Sequence, residues 1–91
     1  MINRAWRDVV ADILETAEGG AIQTTIMYRS FLSYSMLKEY SDLLLQSRLI
    51  SYDKKTRSYD ITEKGKEFLE LYKRMNSLVF PPNMKLRKRK K

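Results

Sequence analysis

The sequence predicts an α+β fold, a winged helix-turn-helix with three helices, a β-hairpin wing and a C-terminal dimerisation helix. Three observations carry this expectation. Residues 24–65 read in order as helix, tight turn, helix and hairpin. Ser33 stands where the second helix of that pair needs a cap. Two short alternating runs then flank a basic tip, Asp53-Lys54-Lys55-Thr56-Arg57.

Each element has its own warrant. Trp6, Val9, Val10, Ile13, Leu14 and Ala17 recur at helical spacing, with Asn3 as cap, Asp8 in an early turn and Gly19-Gly20 as stop. Ala21-Ile22-Gln23 is short and apolar enough for a small strand beside the wing. Thr24 or Thr25 caps a short second helix whose buried side is expected to hold Ile26, Met27 and Phe31. Leu32-Ser33-Tyr34 forms the turn, and a third helix runs from about Tyr34 to Gln46. On that helix Leu37, Tyr40, Ser41 and Leu44 share the inner face, flanked by Met36 and Leu45. The outer face carries Ser35, Lys38, Glu39, Asp42 and Gln46.

Alternation over residues 49–52 and 58–61 directs Ile50, Tyr52, Tyr59 and Ile61 to the core. Thr62 caps a fourth helix. Gly65 early in that helix costs roughly 1 kcal/mol relative to alanine, which close approach to another backbone would explain. Phe68, Leu69, Leu71, Tyr72, Met75 and Leu78 make it apolar around more than half its circumference. Such a wide stripe needs more than one partner surface, so a homodimer is expected, joined through Phe68, Leu71, Tyr72, Met75 and Leu78. Pro81-Pro82 closes the domain, 1–80, and leaves 81–91 as a disordered basic tail.

Composition narrows the function classes. At 91 residues the chain fits one small domain, a size at which pairing with a second subunit is a common reinforcement. Neither cysteine nor histidine is present, which removes disulfides, thiolate metal sites and the commonest general base. No spacing suggests an enzyme, a cofactor or a metal; Asp53, Asp60 and Glu63 lie on different elements without cation-loop spacing. No apolar run approaches the ~20 residues of a membrane span. No signal peptide opens the chain, so a cytoplasmic, nucleoid-associated location is expected. The net charge is +7, yet residues 1–83 carry 12 basic against 11 acidic groups. The cationic field therefore belongs to Lys85, Arg87, Lys88, Arg89, Lys90 and Lys91.

This architecture directs the search to double-stranded DNA, the third helix in the major groove and the wing on phosphates. Lys54, Lys55 and Arg57 reach phosphates without burying anything, although lysines also protect hairpin edges from strand pairing. Arg29 either touches the DNA backbone or solvates its surface. The outer face of the third helix is net negative, so its N-terminal part (Ser33, Tyr34, Ser35, Lys38) is expected at the DNA and Asp42 off it. Tyr28, Tyr40, Tyr52, Tyr59 and Tyr72 fall at core-facing intervals, leaving Tyr34 as the tyrosine for nucleic acid. The tail grips phosphates nonspecifically, or else serves as a solubilising end, a membrane-surface anchor or an RNA arm. The competing function is a protein-interaction adaptor, which the acidic helix face fits.

Thr25-x-Met27-Tyr28, Leu32-Ser33-Tyr34, Tyr40 with Leu44, Leu49-Ile50 and Tyr59-x-Ile61-Thr62-Glu63-Lys64-Gly65 together resemble an archaeal winged helix-turn-helix DNA-binding family. The resemblance spans about residues 6–75. It implies small chromatin-associated proteins or transcriptional regulators that dimerise through an antiparallel coiled coil of their last helices. The family pattern carries Asn where Phe31 stands, an apolar residue at Ser41 and Gly at Arg48. The last helix here is also shorter before the prolines than a long coiled coil would need.

Overall fold

The structure, a computed structural model, describes residues 5–79. Seven elements follow in order: α1 (Trp6–Ala17), β1 (Ala21–Ile22), α2 (Gln23–Ser30), α3 (Tyr34–Gln46), β2 (Ile50–Asp53), β3 (Ser58–Ile61) and α4 (Glu63–Val79). The three strands form one antiparallel sheet in the order β1-β3-β2. The expected small first strand thus lies beside the wing, with Ala21 opposite Tyr59 and Ile50 opposite Ile61.

Helix α1 is the centre of the core. Val9, Val10, Ile13, Leu14 and Ala17 are buried as their spacing requires, and the helix packs on α2, α4 and β3. Trp6 does not join them. At the first position of the helix it overhangs the core, half-exposed, with the Arg7 guanidinium carbon 5.7 Å from its ring centroid. The helix is entered at an extended Ala5 without a side-chain cap, and Asn3 lies outside the described residues. Gly19 and Gly20 take positive φ values of 84° and 101°, which only glycine adopts freely, and so stop α1. The Gly19 N–H donates to Asp60 Oδ1 at 3.2 Å and ties this turn to β3.

Helix α2 departs from expectation in two ways. It starts at Gln23, so Ile22, extended and leaving β1, fills the cap position instead of Thr24 or Thr25. It also buries only Ile26 and Ser30 among its residues. Tyr28, two residues from Ile26, therefore points to the opposite side, and it is exposed rather than in the core. Phe31 is not on the buried side either. It ends the helix in left-handed backbone, φ 57°, which turns its ring into solvent.

Helix α3 and the hairpin run as expected except at Tyr52. Helix α3 buries Leu37, Ser41 and Leu44, with Tyr40 half-buried. Ser41 stands at an apolar position but donates its hydroxyl to the Lys38 carbonyl at 3.2 Å, which satisfies it locally. In the hairpin Ile50 and Ile61 are buried and Tyr59 half-buried. Tyr52 is not in the core: it is exposed and rests against Tyr59, ring centroids 4.9 Å apart. A four-residue strand at the sheet edge offers its far tyrosine only a cross-strand neighbour.

The chain between α3 and α4 is clasped to itself. Arg48 adopts φ 63°, and its carbonyl accepts the Thr62 hydroxyl at 2.7 Å. Thr62 Oγ1 in turn accepts the Gly65 N–H at 3.0 Å, the expected cap of α4. A Cβ on Gly65 would lie 2.3 Å from the Leu49 carbonyl oxygen and 2.6 Å from Ile61 Cγ1. The backbone approach expected at this glycine is therefore real.

Candidate nucleic-acid interface

Helix α3 is held by its leucines and leaves a continuous outer face in solvent. Ser33 caps it, accepting the Met36 N–H at 3.2 Å, and Ser35 Oγ lies 3.4 Å from the Ser33 hydroxyl. No carboxylate occupies the first turn, so the partial positive charge of the helix N-terminus is unopposed there. Tyr34 opens the helix, as expected, and it is 57% exposed. Lys38 is exposed one turn on, and Glu39, Asp42 and Gln46 follow on the same outer side. The hydroxyls and the lysine of this face thus lie toward the N-terminus of the helix, and its first turn carries no carboxylate.

The second group of predicted contacts is at the hairpin tip. Lys54, Lys55 and Arg57 are all exposed in the turn between β2 and β3. The Lys55 N–H donates to Asp53 Oδ1 at 2.9 Å, and Arg57 closes the turn at φ 55°. Strand β2, which leads into the tip, packs against α3. Arg29, in the last turn of α2, is exposed as well.

Helix, turn, capped helix and cation-tipped hairpin agree with the comparison to known proteins. Residues 3–80 match the sequence profile of a family described as winged helix-turn-helix. The chain belongs to that family. Among solved structures it is similar to Sso10a-2, a DNA-binding protein from Sulfolobus solfataricus, with a TM-score of 0.76 and 23% identity over 84% of this chain and 82% of that one. At that identity the likeness speaks to the fold. No curated protein sequence matches the chain.

In this winged helix-turn-helix, α2 and α3 are the paired helices and residues 54–57 are the tip of the wing. Two exposed positions on or near α3, Leu43 and Arg48, were given no surface role by the sequence, and Met36, expected on the flank, is exposed as well. Met36 and Leu43 flank the buried stripe, where apolar character alone does not separate core from surface. The carboxylates Asp53, Asp60 and Glu63 are engaged separately. Asp53 shapes the wing turn, Asp60 Oδ1 accepts the Gly19 and Ile61 N–H groups, and Glu63 lies 3.6 Å from Lys66 Nζ.

The five residues expected to join a dimer divide in two. Phe68 and Tyr72 are half-buried against their own core. The Tyr72 hydroxyl donates to Asp8 Oδ1, linking α4 to α1. Burial first, and the Asp8 bond second, push this phenol from 10.0 up to about 12. Leu71, Met75 and Leu78 form an outer stripe in solvent, joined by Val79. The tail cations Lys85, Arg87, Lys88, Arg89, Lys90 and Lys91 lie outside the described residues, as does the expected boundary at 80–81. No helix among the described residues is long and apolar enough to cross a membrane.

Proposed function

We propose that this winged helix-turn-helix binds double-stranded DNA, as a transcriptional regulator or a small chromatin protein and not as an enzyme. The N-terminal half of α3 enters the major groove, the wing lies on phosphates, and the basic tail adds a nonspecific grip. The observation that carries this reading is the exposure of Ser33, Tyr34, Ser35 and Lys38 at a helix N-terminus free of carboxylates. The similarity to a DNA-binding protein of the same fold supports it. Lys38→Ala is expected to weaken duplex affinity several-fold, whereas Asp42→Ala leaves it unchanged or improves it. The opposite ranking in an anisotropy titration would overturn this docking.

The protein acts as a homodimer in this reading. The exposed stripe Leu71, Met75 and Leu78 supports that, since it has no partner surface on its own chain among the described residues. The adaptor reading retains one observation in its favour, the negative C-terminal half of the α3 face.

A further inference from the structure

Among the described residues, Tyr28 and Phe31 are the most exposed aromatic side chains, at 84% and 85%. With Thr24, Met27, Arg29 and Leu32 they line one shallow groove along α2 and the turn after it. Phe31 holds its ring there from left-handed backbone, φ 57°, a conformation that bulky side chains rarely adopt. That backbone serves the end of α2, where the Phe31 and Leu32 N–H groups reach the Tyr28 and Met27 carbonyls, but the ring it carries gains no buried contact.

Charge selects the occupant. Residues 23–33 contain Arg29 and no carboxylate, so this surface suits a polyanion. Shape selects further. Rings this exposed can lie against flat groups such as bases. Bases in a duplex cover one another; unpaired bases leave their faces open.

We propose that α2 and its turn form a second nucleic-acid site, for single strands, with Tyr28 and Phe31 stacking on unpaired bases and Arg29 on phosphate. It shares only Arg29 with the duplex surface and does not depend on it.

The test uses the full-length protein with fluorescent oligothymidine, oligouridine and a DNA duplex, at salt high enough to weaken the tail's contribution. Phe31→Asn removes the ring and relaxes the backbone. It is expected to raise the melting temperature while lowering single-strand affinity about tenfold. Tyr28→Leu lowers that affinity to a similar degree without changing melting, and Phe31→Tyr, which keeps the ring, leaves it intact. Duplex affinity stays level in all three, and the two oligonucleotides separate DNA from RNA as the preferred strand. Unchanged single-strand affinity in Phe31→Asn and Tyr28→Leu would overturn the proposal and give the rings to an apolar protein partner. An equal loss on single strand and duplex would overturn it as well.

Discussion

A single methyl group at residue 65 would sit 2.3 Å from the Leu49 carbonyl oxygen, far inside contact distance. Gly65→Ala is therefore expected to destabilise the fold by about 2–3 kcal/mol. For a domain of this size that lowers the melting temperature by roughly 10–20 °C; a shift of only a degree or two would mean that α4 is free to move away. The need for glycine here was legible in the sequence, because glycine inside a helix is costly without a reason. The left-handed backbone at Phe31, Arg48 and Arg57 was not, since nothing in those side chains favours it. Two of the three, Phe31 and Arg48, are positions where the resembling family carries Asn and Gly, residues that accept this geometry. Tyr72 gives a second prediction. Its phenol is raised to about 12, so the stability it contributes is complete below pH 10 and is lost as pH climbs through the folded value. Tyr72→Phe is expected to lose about 1 kcal/mol at neutral pH and to flatten the alkaline decline, as urea titrations from pH 8 to 12 would reveal.

At the scale of elements, what decided legibility was length and neighbours. Helices α1, α3 and α4 run for three turns or more, and apart from Trp6 at the start of α1 their apolar spacing placed their inner faces correctly. Helix α2 has eight residues and buries two, so counting apolar positions overstated its inner face. Tyr28 and Phe31 are the result. The two strands and the tip of the wing were read correctly, yet Tyr52 has only Tyr59 to lean on at the sheet edge. Helix α4 uses Phe68, Leu69 and Tyr72 inward and keeps Leu71, Met75 and Leu78 outward. We expect that outer stripe to pair two subunits. Sedimentation at tens of micromolar should then give a dimer that Leu71→Glu with Leu78→Glu converts to a monomer of unchanged helicity. A wild-type monomer at that concentration would contradict the pairing.

For the whole molecule the governing feature is where charge lies. Residues 1–83 are nearly neutral, and six cations follow between residues 85 and 91. In the proposed mode of binding, affinity for DNA has two separable sources, a docked fold and an electrostatic tail. Each phosphate neutralised contributes about −0.9 to the slope of log affinity against log salt. If the tail meets four or five phosphates, removing it flattens the slope by roughly four. The fold was legible because helix capping, period and hairpin spacing all agreed. Surface roles were legible only as residue types, since charge and exposure do not reveal what a side chain will meet.

The most direct test is duplex-DNA binding by a chain ending at Pro82, titrated at several salt concentrations. We expect weaker but measurable binding that disappears with Lys54→Ala/Lys55→Ala/Arg57→Ala. Binding that vanishes with the tail alone, at every salt concentration, would contradict docking by the folded domain.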